Sequence, residues 1–267
     1  MTKRFISGGC SFTYGHELSD DDNGKIPSAL SWAHKLRDEC FPEAQYTCTA
    51  RPGSGNSGIA RRVFEKVVEN PNDVCQVVVM WSFMSRYEWA MPRHEGLEAK
   101  RWAYISPWDI SDSNNESFKI LSKDAGQEQQ FAKRRETYKK AGVTDLADAI
   151  YTYGQNLYHE TYLSWKSIIW LQNILEKMNV PFFFTLADNS LFYNEMKPHK
   201  DLDDLMRGMY EQIDITKWFS FGERMMGFNQ WALLEDYARG VTHPLDEAHA
   251  DAVKLMLPTF KKQIGGK

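Results

Sequence analysis

The sequence predicts a three-layer α/β/α fold, in which helices cover both faces of a doubly wound, mostly parallel sheet. Two observations predict it. Candidate strands and helices alternate through the first 82 residues, and residues 74–81 form an apolar run, VCQVVVMW, typical of strands that are covered on both faces. The chain has 267 residues and no internal repeat, so we expect a single domain, 1–267, with a substantial core.

The individual elements follow from the spacing of apolar residues. Apolar positions three or four apart indicate helices, whereas short runs of apolar or β-branched residues indicate strands. On this basis we predict strands at 4–7, 45–50, 74–81 and 180–186, and helices at 28–40, 59–68, 157–175, 201–213 and 243–257. The last helix is predicted to begin at the His243–Pro244 turn, because proline suits the first helical position.

Residues 92–144 interrupt this alternation of strands and helices. The stretch is polar and has few apolar stripes. We interpret it as an insertion or lid over the carboxyl ends of the strands, and a plain surface excursion is the alternative. Its tryptophans Trp102 and Trp108 are candidates to line a groove.

Composition and charge exclude several classes of protein. A net charge of −4 and an isoelectric point near 6.0 argue against nucleic-acid binding, and the basic residues of 133–140 are interleaved with Glu136, as on a solvated helix face. No apolar run approaches the roughly 18 residues of a membrane span, and no signal peptide is evident, so we expect a cytoplasmic protein without a membrane partner. The four cysteines lack metal-site spacing, which predicts free thiols, and we expect no metal or cofactor.

A glycine-rich loop, GSGNSG at 53–58, matches the G-x-G-x-x-G pattern of dinucleotide-binding proteins. It lies between a predicted strand and a predicted helix, where backbone N–H groups can hold a pyrophosphate. However, it follows the second strand and not the first, and no acidic residue follows the third strand to bind a ribose. Nucleotide binding is therefore the weakest of the functions considered.

Ser11 is the candidate nucleophile, within the segment GGCSFTYG that follows the first predicted strand. A turn at this point exposes the hydroxyl at the carboxyl edge of the sheet, where open α/β sheets hold their ligands. A serine needs a base, and the C-terminal segment offers His243 and His249. We expect His249 to be structural. The alternative for Ser11 is a helix-capping serine, and for His243 a surface residue.

Three short blocks resemble those of the SGNH (GDSL-type) hydrolases. Residues 9–15, GCSFTYG, resemble the first block, G-D-S-x-T-x-G; Gly53 resembles the glycine of the second; and His243–Pro244 resembles the His-Pro of the fifth, in the same order along the chain. The resemblance implies a flavodoxin-like α/β/α fold and a serine esterase that works through an acyl-enzyme without a metal. It implies that Ser11 is the nucleophile, His243 the base and Gly53 an oxyanion donor.

The chain departs from the family pattern at the oxyanion hole. Cys10 stands where the family has aspartate, and the segment after the third strand, MWSFMSRYE, contains no asparagine to act as the side-chain donor. Loss of one such donor costs about 10² to 10³ in rate. Ser82, Asn56 and Arg86 are candidates to replace it, and the sequence does not choose among them.

The chain also departs from the family at the acid that orients the histidine. The family's aspartate lies three residues before the histidine, which is Gly240 here. Asp236 and Asp246 are the candidates from the residues nearby, and a Ser–His dyad without an acid is the third possibility.

Together these patterns predict a hydrolase that cleaves a small ester or an O-acyl group, with a small molecule or a carbohydrate as the carrier of that group. The alternative is a non-catalytic member of the same fold that binds a ligand or serves as a structural module, which the missing asparagine and aspartate favour.

Overall fold

The computed structural model of the protein describes residues 2–22, 24–91, 102–111, 125–193 and 203–265, with the backbone alone for 125–131. The strands are β1 (Arg4–Gly8), β2 (Gln45–Cys48), β3 (Val74–Trp81), β4 (Tyr87–Ala90), β5 (Trp102–Ile105) and β6 (Phe182–Leu186). The α-helices are α1 (Ser11–Tyr14), α2 (Trp32–Cys40), α3 (Asn56–Glu69), α4 (Ala125–Lys140), α5 (Val143–Ala149), α6 (Leu157–Lys177), α7 (Asp204–Glu211), α8 (Phe228–Leu234) and α9 (Asp246–Gly265).

A parallel sheet with the strand order β2-β1-β3-β6 forms the centre of the molecule. Alternate residues of each central strand enter two different cores. Val77, Val79 and Trp81 of β3 pack with α3 and α6 on one face. Val78 and Met80 pack with α2, α8 and α9 on the other. The predicted three-layer α/β/α fold is confirmed, because β3 is apolar on both faces and helices cover both.

The last helix begins later than predicted. α9 starts at Asp246, and Pro244 instead pairs with Arg239 in an antiparallel bridge. The hydrogen bond from Gly240 N–H to the His243 carbonyl, 2.9 Å, closes this turn. His243 is therefore fixed by a tight turn and not by the first turn of a helix.

A second, two-stranded antiparallel sheet pairs β4 with β5, with Tyr87 opposite Ile105. It shares a small core with α4 and α5, in which Ile105, Tyr138 and Val143 are buried. β5 and α4 belong to the predicted insertion 92–144, whose residues 92–101 and 112–124 lie outside the described residues. α5 begins at the end of this insertion and continues beyond it. The single-domain organisation with this insertion remains a prediction.

His249 of α9 has a structural role, as the sequence predicts. Its Nδ1 accepts a hydrogen bond, 3.1 Å, from the backbone N–H of Trp32, the first residue of α2. The N-cap residue Ser31 makes no side-chain cap bond, so His249 supplies the acceptor that the start of α2 lacks. The four cysteines are free. Among the helices of the described ranges, none has the length and apolar character needed to cross a membrane.

The burial of His249 predicts a loss of stability in acid. Burial lowers the pKa of His249 to about 3, whereas a histidine in the unfolded chain titrates near 6.5. Its stabilising contribution is therefore complete above pH 6.5 and is lost as the pH falls from about 6.5 towards 3, at up to about 1.4 kcal/mol per pH unit. Urea unfolding at pH 7 and pH 5 measures this loss. His249→Gln keeps an acceptor for the Trp32 N–H but does not titrate. We therefore expect the free energy of unfolding of this variant to fall less between pH 7 and pH 5 than that of the wild type. Equal losses in the two proteins would contradict this prediction.

Candidate active site

Ser11 lies immediately beyond the carboxyl end of β1, as the first residue of the short helix α1. The turn requires glycine at position 9, where φ is +157° and a side chain would collide with Thr13. The Ser11 hydroxyl donates a hydrogen bond of 2.7 Å to Nε2 of His243, which is 232 residues away in the sequence. The structure therefore brings together the two residues that the sequence predicts to be the nucleophile and the base.

The His243 ring is held in place for accepting this proton. It is buried, and its edge contacts the Phe12 ring at 4.8 Å between centroids. Burial lowers the pKa of His243, although the Glu17 carboxylate acts in the opposite direction. The imidazole is thus neutral at pH 7, with Nε2 free to accept the serine proton and Nδ1 protonated.

Glu17 is the acid that holds the other ring nitrogen. His243 Nδ1 lies 3.2 Å from Glu17 Oε1 and 2.8 Å from Thr242 Oγ1. The same carboxylate accepts hydrogen bonds from the backbone N–H groups of Thr242 and His243, 3.0 and 3.1 Å, and from the Thr242 hydroxyl, 3.0 Å. Burial by itself would raise the pKa of Glu17, but the hydrogen bonds from His243 and Thr242, together with the positive charge that the His243 ring carries when it is protonated in acid, lower it to about 2. Glu17 is thus ionised at neutral pH.

Neither acid that the sequence proposes for this position contacts His243. Asp236 is exposed, and the Asp246 carboxylate instead accepts hydrogen bonds from Ser19. Gly240, at the position where the family has its aspartate, leaves room for Glu17, because a Cβ at this position would collide with the Glu17 carboxylate. Glu17 itself has a left-handed backbone with φ of 71°, which is unusual for a residue other than glycine.

A cavity of about 200 Å³ opens beside Ser11 and His243. Gly53 lines it and has φ of +78°. As the first residue of α1, Ser11 has a backbone N–H that no carbonyl of this helix accepts. The other lining residues come from α1, α4, α8 and several loops: Phe12, His16, Glu17, Pro52, Phe83, Arg86, Trp108, Arg134, Asn229 and Thr242.

Asn56 and Ser82, two of the predicted oxyanion or substrate-binding residues, do not line this cavity. The Asn56 amide accepts a hydrogen bond of 2.8 Å from the Ser82 backbone N–H and donates to the Ser82 carbonyl and the Ser164 hydroxyl, both at 3.1 Å. The Ser82 hydroxyl accepts a bond of 3.0 Å from Arg86. Both residues therefore hold the loop after β3 in place, and Arg86 is the residue of that loop whose charged side chain reaches the cavity.

Arg134 lines the cavity, whereas the charge pattern of residues 133–140 predicts that it lies on a solvated helix face; that prediction is wrong for this residue. Its Nε and Nη2 donate to the two oxygens of Asp109, at 3.0 and 2.9 Å, and its guanidinium lies 4.7 Å from the centre of the Tyr138 ring. Its neighbours Lys133 and Lys139 are exposed, as predicted. The charge pattern of α4 contains no signal that separates Arg134 from them, because its partner Asp109 lies 25 residues earlier.

Two of the three glycines in the glycine-rich loop are needed for close packing against the segment after β3. A side chain at Gly55 would collide with the Arg86 carbonyl, and one at Gly58 would lie 2.8 Å from a Glu88 carboxylate oxygen. These glycines allow the segment after β3 to approach the start of α3. The pattern thus has an explanation that requires no nucleotide.

Three residues of the site form the one group in the described parts of the chain with the geometry of a metal site. The ligand atoms of His16, Glu17 and His243 lie within 4.8 Å of one another. The donors of the last two are already engaged, since Nε2 of His243 accepts from Ser11 and Glu17 accepts four hydrogen bonds. The cluster therefore fits a metal poorly in this arrangement.

Comparisons with known proteins find similarity in structure only. No protein-family model matches the sequence, and no curated protein matches it. The chain is similar to the psychrotrophic esterase EstA from Pseudoalteromonas sp. (10% identity, TM-score 0.46, covering 99% of this chain and 100% of that one). It is also similar to a carbohydrate acetylesterase family member from Sinorhizobium meliloti (11% identity, TM-score 0.47, covering 99% of this chain and 100% of that one). A third similar structure is a lipolytic protein of the G-D-S-L family from Veillonella parvula (12% identity, TM-score 0.42, covering 98% of this chain and 100% of that one).

At 10–12% identity these structures do not assign roles to individual residues of this chain, so those roles are argued from the geometry of the site. Helices on both faces of a parallel sheet, Ser11 after β1, and His243–Pro244 before the last helix all agree with the blocks in the sequence. The chain therefore has a three-layer α/β/α fold, and its residues Ser11, Gly53 and His243 line one cavity of that fold.

Proposed function

We propose that the protein is a serine hydrolase that cleaves small esters or O-acyl groups with the triad Ser11, His243 and Glu17. One observation carries the proposal: the Ser11 hydroxyl is 2.7 Å from His243 Nε2, while Nδ1 of the same ring is 3.2 Å from Glu17. This is the arrangement that nucleophilic catalysis by serine requires, with a base to take the proton and a third group to orient the base.

In the first half of the reaction, Ser11 Oγ attacks the carbonyl carbon of the ester and its proton passes to His243 Nε2. Ionised Glu17 stabilises the imidazolium that forms. The carbonyl oxygen becomes an oxyanion, for which the backbone N–H groups of Ser11 and Gly53 are the proposed donors. The carbon–oxygen bond then breaks, and the leaving alcohol takes the proton from Nε2, which leaves an acyl group on Ser11.

In the second half, a water molecule attacks the acyl carbon and gives its proton to His243. The bond to Ser11 breaks, Oγ recovers the proton from Nε2, and the carboxylic acid departs. A cavity of about 200 Å³ favours a short acyl group such as acetyl. The rings of Phe83 and Trp108 at its wall provide apolar surface for the carrier of that group, including a sugar.

A fluorophosphonate probe tests this proposal directly, because it reacts with an activated serine. We expect stoichiometric labelling of the wild-type protein, mass spectrometry that places the adduct on the peptide containing Ser11, and turnover of 4-nitrophenyl acetate. We expect dialysis against EDTA to leave the labelling and the turnover unchanged, because His16, Glu17 and His243 fit a metal poorly.

Ser11→Ala is the matched control for the labelling. Labelling that persists in this variant would remove Ser11 as the nucleophile. Absence of both labelling and turnover in the wild-type protein would favour the alternative, a non-catalytic ligand-binding or structural module of the same fold. Thermal stabilisation by NAD or ATP would instead favour nucleotide binding.

A further inference from the structure

Two guanidinium groups, those of Arg86 and Arg134, line the cavity that contains Ser11. We propose that they bind a negatively charged group, such as a carboxylate, on the ester that the protein hydrolyses. The inference rests on the proposed function for the hydrolytic step, whereas the binding of the anion stands on the two arginines themselves.

Arg134 is held in a fixed orientation with one nitrogen available. Asp109 accepts hydrogen bonds from Nε and Nη2, and the same carboxylate is itself fixed by the Ser106 backbone N–H at 2.9 Å and hydroxyl at 2.7 Å. Nη1 has no hydrogen-bond acceptor among the described residues, and it lies 4.0 Å from the position that a Cβ on Gly53 would take. Asp109 thus presents Nη1 to the cavity beside the proposed oxyanion donor, with little conformational freedom left to lose on binding.

Arg86 brings a positive charge that no carboxylate balances within the described ranges. Its guanidinium lies 4.6 Å from the centre of the Phe83 ring and 5.2 Å from that of Trp108, and Nη1 donates to the Ser82 hydroxyl at 3.0 Å. The guanidinium also donates a hydrogen bond to the sulfur of Cys10, and none of these partners is a carboxylate. Burial lowers the pKa of Arg86, which reflects the free energy cost of a guanidinium removed from water without a counter-ion.

The acidic residue at the cavity wall does not supply this counter-ion. Glu17 is the carboxylate among the described lining residues, and its two oxygens accept hydrogen bonds from Thr242 and His243. Arg134 and Asp109 neutralise each other, so the charge of Arg86 remains in excess on this side of the cavity. An anionic group between the two arginines would balance it with charge-assisted hydrogen bonds.

A pair of esters that differ only in charge tests the inference. Acetoxyacetate carries a carboxylate, and acetoxyacetamide is its neutral counterpart of nearly the same shape. Release of acetate from each, followed by proton NMR, gives kcat/KM for both. For each protein we divide kcat/KM for acetoxyacetate by kcat/KM for acetoxyacetamide. We expect this ratio to be about 10-fold higher in the wild-type protein than in Arg134→Gln, mainly because the variant has a higher KM for acetoxyacetate. Intrinsic reactivity cancels in this comparison.

Three further variants make the result specific. Lys133→Gln removes a positive charge from the same helix at an exposed position, so its ratio should equal that of the wild type. The double variant Asp109→Asn/Arg134→Gln replaces the ion pair by two amides, and it should lose the preference for acetoxyacetate even if Arg134→Gln alone folds poorly. Arg86→Gln should slow acetoxyacetate more than acetoxyacetamide. An equal loss in kcat on both esters would make Arg86 an oxyanion donor and overturn its role in binding the anion.

Binding to Ser11→Ala separates this inference from the proposed function. Isothermal titration with acetoxyacetate and with acetoxyacetamide measures affinity without hydrolysis. Tighter binding of acetoxyacetate that Arg134→Gln removes would support the anion site even if the wild-type protein hydrolyses neither ester. Equal affinities would overturn the anion site, and turnover of 4-nitrophenyl acetate would then still support the proposed function.

Discussion

Replacing Ser11 by alanine, His243 by alanine, or both together is expected to lower kcat for 4-nitrophenyl acetate by similar factors, on the order of 10⁴ to 10⁶. The reason is the hydrogen bond of 2.7 Å between the two side chains, through which they act as one unit. Once either partner is missing, the proton cannot pass from Ser11 to His243, so the effects of the two substitutions do not add. Steady-state kinetics of the three variants measures this directly.

His249→Gln provides the matched control for His243→Ala, because it changes a second buried histidine that accepts a bond from Trp32 and lies outside the cavity lining. Its kcat should remain within a few-fold of the wild type. Losses that multiply in the Ser11→Ala/His243→Ala double variant would show that the two residues act independently and would contradict a shared proton transfer.

Glu17→Gln is expected to lower kcat by about 10² to 10⁴, by analogy with other enzymes that lose the acid behind a catalytic histidine. The substitution preserves size but removes the charge that stabilises the imidazolium. It also changes the pH dependence. His243 must be neutral to act as a base, so activity rises with pH through the pKa of this histidine. Without the negative charge of Glu17 that pKa falls further, and the acidic limb of the kcat/KM profile moves to lower pH.

Asp246→Asn and Asp236→Asn are the controls for Glu17→Gln, because they alter the two acids that the sequence offers for the same role. Neither carboxylate contacts His243, so both variants should retain near-wild-type kcat and an unshifted acidic limb. A large loss of kcat in Asp246→Asn together with a small one in Glu17→Gln would show that the acid has been assigned to the wrong residue.

The parts of the fold that sequence patterns predict well are those governed by local repetition. β1, β3 and β6 lie within two residues of their predicted positions, because strands covered on both faces are apolar throughout. The pairing of Ser11 with His243 is predicted by a resemblance in three short blocks. The sequence predicts the start of the last helix three residues too early, because the His-Pro pattern does not indicate that Pro244 forms a bridge with Arg239.

The other residues of the site, including Glu17 and Arg134, are positioned by contacts between segments that are distant in the sequence. The spacing of apolar residues does not predict such contacts. Glu17 reaches His243 only because the chain after α1 adopts a left-handed conformation at this residue. Arg134 differs from the solvated basic residues beside it only through Asp109. Asn56 and Ser82 satisfy each other's buried polar groups instead of facing the cavity, which follows from the packing of α3 against the loop after β3.

The proposed role of Glu17 as the acid, with glycine at position 240, has a consequence for recognising distant relatives. The proposed nucleophile and acid then lie in one heptapeptide, S-x₅-E, and the segment around the proposed base reads G-x-x-H-P. A profile that requires D-x-x-H-P would miss every homologue organised in this way. Searching genomes for the two coupled signatures would recover such a lineage, and a compensating aspartate at 240 should appear wherever the glutamate at 17 has been lost.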